Sequence, residues 1–358
     1  MVPNTKLGTV QDSVVPQSFP WPPGSATGIG SMPGTDPAEA IAVVLGELPD
    51  LPYLPELPGR GPGADLTGRT AALLIDMPVE TTPAGWKLAD RPGRDQRRAA
   101  GLLAADLDAA QEAADAWTGP FKVQVCGPWT LAATIGLSRS QNPALADPGA
   151  VADLTASLAE GVAAHVAEVR SRIPGATVLL QLDEPALPAV LAGAVPTASG
   201  LNRVGAVDAA VTCDNLRSVL RATVAFGLVH CCAAGLPFWV IKEAGAQGVG
   251  FDLGLLRRAD EDGLAEVAEA GLGILVGAEK TWAERSATAP APPPKDAAAG
   301  VIEIWRRIGL PAATLAEQVV LTPACGLAAA SPSAARAALS RCREAARLMP
   351  ELIEEGAQ

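Results

Sequence analysis

TVLLQLDEPAL, residues 177–187, is a short apolar run that ends in two adjacent carboxylates, Asp183 and Glu184, and then a proline. The run 177–183 is too short for a helix, and Pro185 has no N–H to offer a neighbouring strand, so it reads as one strand with a defined end. On either side lie 149–172 and 203–224, whose apolar residues recur at the 3.6-residue period of a helix packed on one face. The same alternation continues outward. TGIGS (27–31), LPYL (51–54) and FKVQVC (121–126) precede the run, and GLVHCC (227–232), GVGFDL (248–253), GILVGA (273–278) and VVLTP (319–323) follow it. Helical stretches lie at 95–117, 236–245, 260–271, 296–308 and 332–348. Strand alternating with helix requires a parallel sheet, and eight such units predict an α/β fold closed into a single (β/α)₈ TIM barrel over 26–350. Residues 1–25 are expected to form an N-terminal arm over one barrel end. A doubly wound open sheet is the alternative. ALLIDM (72–77) is a candidate extra strand in the long second loop, and the Pro/Ala segment 286–295 is expected to be extended.

A chain of 358 residues, 49% hydrophobic and 18% charged, can bury a large core and is neither disordered nor coiled coil. Its net charge of −12 would repel a phosphate backbone, and no run of Lys or Arg exceeds two residues, which argues against nucleic acid as a partner. Without a long apolar stretch or a basic-then-apolar start, neither a membrane span nor ordinary export is expected, so the cytoplasm is the default location. Six cysteines in so long a chain fit reduced thiols or metal ligands better than a disulfide framework.

In a parallel barrel, reactive side chains gather where the strands end. At the end of the fifth strand His230 and Cys232 are two residues apart and share a face, while Cys231 points the other way. TPACGL puts Cys325 on a turn after the eighth strand, and Asp252 ends the sixth. An imidazole, two thiolates and a carboxylate form a soft set that suits Zn²⁺ rather than Mg²⁺ or Ca²⁺. The plainer alternative is a buried His packed beside a Cys. His165, mid-helix, reads as structural, and Cys126, Cys213 and Cys342 read as small core hydrophobes. Asp183 and Glu184 side by side are costly unless a cation meets them. Gly28, Gly30 and Ser31 at the end of the first strand either let a ligand approach the backbone or serve a turn.

Read in order, IGSMP (29–33), VCGPWTL (125–131), QLDEPAL (181–187), HCC (230–232) and PACGL (323–327) resemble the landmarks of the C-terminal catalytic barrel of cobalamin-independent methionine synthase, over residues 26 to 348. The resemblance implies a catalytic zinc and transfer of a methyl group to the thiol of homocysteine, forming methionine. It places His230, Cys232 and Cys325 on the family's zinc ligands and Asp252 where the family has a zinc-bound Glu. Ser31, Asp183 and Glu56 fall on positions that hold the amino acid, with Gly30 offering backbone amides to its carboxylate and Glu184 beside Asp183.

Three departures bear on the methyl donor. The full-length family carries a second, N-terminal barrel that helps bind a polyglutamyl folate, for which 358 residues leave no room. The family's acid histidine after the seventh strand is missing from LVGAEKTW (275–282), where Lys280 stands at or next to that place. AATIGL (132–137) lacks the aromatic expected to face a pterin. A folate nitrogen must be protonated to leave, whereas a corrinoid leaves without a proton, so a methyl-corrinoid on a partner protein is the expected donor and methyltetrahydrofolate the alternative. The competing functions are the same fold acting on another substrate, as in a uroporphyrinogen decarboxylase or a different thiol methyltransferase, and a non-catalytic zinc- or methionine-binding relative.

Overall fold

The computed structural model describes residues 18–279 and 293–355. Eight regular strands are present: β1 (Val79–Thr82), β2 (Gly85–Leu88), β3 (Gly119–Cys126), β4 (Ala176–Asp183), β5 (Phe226–Cys231), β6 (Gly248–Asp252), β7 (Gly273–Glu279) and β8 (Val319–Pro323). The last six form one parallel sheet in sequence order, β3-β4-β5-β6-β7-β8, with helices between successive strands. This is an α/β fold with a curled, TIM-barrel-like sheet. Each strand of the expected third to eighth units lies within a residue or two of the run that announced it.

The expected first two strands are not regular strands. Segment 26–31 meets its neighbours through the single parallel bridges Ala26 to Leu321 and Ser31 to Glu56, and segment 51–56 through Tyr53 to Lys122. Pro52 and Pro55 lack N–H donors, and Gly28 and Gly30 lack side chains to hold a pleat, so neither segment can extend a ladder. ALLIDM forms no strand either. Residues Leu66–Ala71 are helical, and the extra strands of this loop are β1 and β2, an antiparallel hairpin just downstream. The helix Pro37–Glu47 was also not expected, although Asp36 accepts from the amides of Ala38 and Glu39 with Pro37 at the first helical position. That Asp-Pro-Ala-Glu string is a start signal.

Side chains alternate cleanly across the sheet. Val178, Leu180 and Leu182 of β4, and Val229 and Cys231 of β5, pack outward against the helices in the main core. Leu179, Leu228, Leu275 and Val320 point inward and meet Leu51 and Trp21 in a second, smaller apolar cluster. Trp21 belongs to the described end of the arm; its indole Nε1 donates to the carbonyl of Glu317 at 3.1 Å, and Phe19 stacks on it with ring centroids 5.1 Å apart. The interior is thus closed by an apolar plug, and the inward residues one step further along β3, β4 and β5 are polar: Gln124, Gln181, Asp183 and His230. Among the described residues no helix is long and apolar enough to cross a membrane.

Leu228 is fully buried in the plug, one pleat below His230. Leu228→Ala is expected to lower unfolding stability by about 2–5 kcal/mol in a denaturant titration, since the surrounding strands cannot collapse onto the void.

Candidate functional site

Parallel register builds the site. Asp183 of β4 lies opposite His230 of β5, and His230 lies opposite Gly250 of β6. A Cβ on residue 250 would come within 3.2 Å of the imidazole Cδ2, so the glycine leaves room for that ring. Nδ1 of His230 and Oδ1 of Asp183 are 2.8 Å apart. The same carboxylate oxygen accepts from Nε2 of Gln181 at 2.7 Å. With Asp183 as a carboxylate, which can only accept, the contact requires the imidazole proton on Nδ1. Nε2 of His230 is left with a bare lone pair, buried and without a hydrogen-bond partner among the described residues.

Beyond this imidazole the chain brings together two sulfurs from strand ends almost a hundred residues apart in sequence. Sγ of Cys325 and Sγ of Cys232 lie 3.3 Å from each other and share a hydrogen. That bond is the largest influence holding the Cys325 thiol down, to about 6, aided by the Gly326 amide and nearby His230 and opposed by burial. The same bond, with burial, pushes the Cys232 thiol up. A Cβ on Gly326 would collide with Oγ of Ser31, which accounts for the glycine after Cys325, and the amide of Leu327 donates to the carbonyl of Ser31 at 2.8 Å.

These groups line one cavity of about 370 Å³, walled by Gly30, Ser31, Glu56, Asp183, His230, Cys232 and Cys325 among polar or reactive positions and by Ile29, Leu66, Pro185 and Ala328 among apolar ones. Seven of the residues expected from the sequence are thus brought together. Glu56 is buried, and its Oε1 has no hydrogen-bond partner among the described residues. Burial raises its carboxyl from the ordinary 4.5 to about 7, with Arg69 opposing and Asp183 adding to the rise.

Two expected residues stand elsewhere. Glu184 turns away from the cavity and clamps the start of the helix Pro128–Thr134, accepting from the amides of Trp129 at 2.9 Å and Thr130 at 2.7 Å and from the Thr130 hydroxyl at 2.7 Å. Asp252 accepts from the amide of Gly254 at 2.8 Å and lines a separate small cavity with Leu236, Phe238 and Phe251. Lys280, and residues 286–292 of the Pro/Ala segment, lie outside the described residues. Glu279, the residue before Lys280, forms a two-pronged pair with Arg341, both contacts at 2.9 Å. His165 is buried in the helix Pro148–Arg172, where burial, with Arg69, lowers its pKa to about 3.

Gly28 and Gly30 do not serve the turn that was one of their two expected readings. Neither has a positive φ, and a Cβ at either would run into the Tyr53 ring or the Gln124 side chain. Close packing inside the barrel, and no unusual turn, requires them. Sequence reading also passed over Lys122, Gln124 and Gln181. Their signal was the alternation in FKVQVC and TVLLQLD, which puts them on the inward face with Asp183.

Residues 142–348 match the cobalamin-independent synthase family, over its catalytic domain. The chain belongs to that family. Among solved structures, this chain is similar to a B12-independent methionine synthase from Shewanella sp. W3-18-1 in complex with selenomethionine, at 11% identity and a TM-score of 0.60, over 93% of this chain and 99% of that one. That likeness shows a shared fold. Weaker resemblances are to GH5_18 from Streptomyces cattleya in complex with GlcNAc (14% identity, TM-score 0.44, 92% of this chain and 81% of that one) and to a putative dihydrodipicolinate synthetase from Pseudomonas aeruginosa (11% identity, TM-score 0.39, 92% and 82%). Neither carries a functional argument. No curated protein matches.

Among the described residues no group of three or more His, Cys, Asp or Glu side chains is gathered tightly enough to hold a metal ion as it stands. The donor chemistry nevertheless fits one. Nε2 of His230 is buried and unpaired, its tautomer is fixed by a carboxylate behind it, and two thiols line the same cavity. A carboxylate–histidine pair of this kind is the usual support of a metal-binding imidazole.

Glu56 supplies a pH test. Its folded-state pKa lies above the unfolded one, so its contribution to stability is fully present below about pH 4.5 and is lost as pH rises through about 7. Glu56→Gln is expected to exceed the parent in stability above pH 7, by on the order of 3 kcal/mol, and to match it near pH 4. Thermal melts of both proteins across that range check the sign and the window.

Proposed function

We propose that this chain is a zinc-dependent S-methyltransferase that methylates the thiol of homocysteine to give methionine, with a methyl-corrinoid as donor. Membership of the family supports homocysteine methylation in general. The observation that carries the finer reading is the His230–Asp183 pair, with its unpaired Nε2 facing a cavity that also holds the two sulfurs. The same reading takes segments 26–31 and 51–56 as the first two strands of a closed eight-stranded barrel over 26–350, and the cytoplasm as its location.

His230, Cys232 and Cys325 would hold the zinc; Asp252, which accepts from the Gly254 amide beside a separate cavity, would have to turn to serve as a weaker fourth donor. Bound there, zinc supplies the charge that keeps the acceptor's sulfur as a thiolate at neutral pH. The chain's own residues do the rest. Asp183 and Glu56 face the cavity as carboxyl groups and receive the α-ammonium. Ser31, with the backbone around Gly30, receives the α-carboxylate. Ile29, Leu66, Pro185 and Ala328 form the apolar part of the wall, which suits a methylene chain and excludes water from the reacting sulfur. Glu184 fixes the loop that follows Cys126 and takes no part in binding.

The donor assignment follows from proton supply. A folate nitrogen leaves only when protonated. The sequence contains two histidines: His230 is paired with Asp183, and His165 is buried in a helix away from the cavity. Neither is placed to act as that acid. Lys280 is the remaining candidate from the sequence, and would serve only with a pKa brought down several units. A methyl-corrinoid needs no such group.

The test is metal analysis of protein purified without chelator, followed by methyl transfer to homocysteine from methylcobalamin and from methyltetrahydrofolate side by side. About one zinc per chain and turnover from methylcobalamin are expected, with Cys325→Ser losing most of the metal. Asp183→Asn should raise KM for homocysteine. Turnover from the folate alone that Lys280→Ala abolishes would reverse the donor assignment, and zinc-free protein with full activity would overturn the reading.

A further inference from the structure

Lys122 on β3 is fully buried inside the barrel, an unusual place for an ammonium and one that the reaction does not use directly. It does not line the cavity. Its Nζ donates to the carbonyl of Ile29 at 3.0 Å and to Oε1 of Gln181 at 2.9 Å, and it sits 5.2 Å from the centre of the Tyr53 ring. Burial lowers its pKa to about 8, while Asp183 and Glu56 hold it up.

An ammonium has donors and no acceptor, so the Gln181 atom turned toward it must be the oxygen. That choice fixes the other end of the amide. Nε2 of Gln181 then points at the carbonyl of Ile29, 2.9 Å away, and at Oδ1 of Asp183, 2.7 Å away. Asp183 passes the constraint to Nδ1 of His230 at 2.8 Å. The chain of side chains runs Lys122, Gln181, Asp183, His230 across three adjacent strands, each link within 3 Å. Gln124 is held in parallel: its Oε1 is 3.5 Å from the same ammonium and its Nε2 donates to the carbonyl of Leu54 at 2.6 Å.

A buried charge is a poor way to fill space, because an apolar side chain of the same shape is often as stable or more so. What an apolar residue cannot do is decide which way Gln181 faces. Without a donor beneath it, the Gln181 oxygen is a buried acceptor left unpaired, and the amide is held only from its nitrogen end, by the Ile29 carbonyl and Asp183. We propose that Lys122 is a positioning residue: by fixing the orientation of Gln181 it holds Asp183, and through Asp183 the metal-facing tautomer of His230. This rests on the proposed zinc and amino acid site.

The experiment measures zinc affinity by chelator competition, and methionine affinity of the zinc-loaded protein by calorimetry. The proteins are wild type, Lys122→Met, Gln181→Met, the double variant and Gln181→Glu. Lys122→Met is expected to lower zinc affinity about 10- to 100-fold, the usual effect of losing a group behind a metal ligand, and methionine affinity about tenfold. The double variant should match Gln181→Met alone, since a residue acting only through Gln181 has nothing left to act on. Gln181→Glu, ionised through its contact with Lys122, keeps an acceptor for the ammonium but has no hydrogen to donate to Asp183, so it should lose as much as Gln181→Met; it serves as the decisive variant if Lys122→Met does not fold. Wild-type affinities in Gln181→Glu, or losses that add in the double variant, overturn the proposal. A wild-type protein that binds neither zinc nor methionine overturns the reading of the cavity, and the proposal with it.

Discussion

One carboxylate oxygen, Oδ1 of Asp183, accepts hydrogen bonds from both Gln181 and His230, and the inner face of the curled sheet is arranged around that pair of bonds. A buried carboxylate is costly unless donors meet it, and in a low-dielectric interior each donor counts for more than it would in water. Meeting the requirement dictates the rest. Gln181 must present its nitrogen, so a donor must sit below its oxygen. His230 must carry its proton on Nδ1, so Nε2 is left bare above. The apolar plug of Trp21, Leu51, Leu179, Leu228, Leu275 and Val320 keeps water from entering this layer from the closed end.

The sequence and the structure agree where alternation is strong. β3 to β8 were legible because each is a β-rich run whose two faces meet different surroundings, helices outside and the barrel interior inside. The first two segments were legible as positions but not as strands, since proline and glycine take away the donors and side chains a ladder needs. β1 and β2, reading VETT and GWKL, show no such contrast: only Val79 and Trp86 of the hairpin are fully buried. No apolar period marks them.

For the site, period-two alternation was enough to pair His230 with Cys232 and to separate Cys231. The proximity of Cys325 depends on how the sheet curls, which local pattern does not encode. Glu184 illustrates the same limit from the other side. Adjacent to Asp183, it seemed part of one acidic pair, but the peptide turns at the strand end and gives Glu184 to the amides of Trp129 and Thr130, more than fifty residues earlier in the chain. Asp252 was read from its place at a strand end, yet a short polar side chain there also suits the turn that follows, and the Gly254 amide is its partner.

Asp183 has two neighbours of different function, and this joins two equilibria. One of its oxygens supports the imidazole; the carboxylate as a whole lines the cavity where, in the proposed reaction, the ammonium of the amino acid arrives. A cation bound at Nε2 of His230 makes Nδ1–H a stronger donor and draws charge from Asp183 toward the metal. An ammonium in the cavity draws charge from the same carboxylate in the other direction. Each event therefore alters the affinity of the other by the same factor, whatever its sign. Glu56 limits that competition. In the proposed site its carboxyl, raised to about 7 by burial while Arg69 and Lys122 favour the ionised form, is a second partner for that positive charge. In the proposed reaction two acidic groups thus share one ligand charge, and Asp183 can keep its bond to His230.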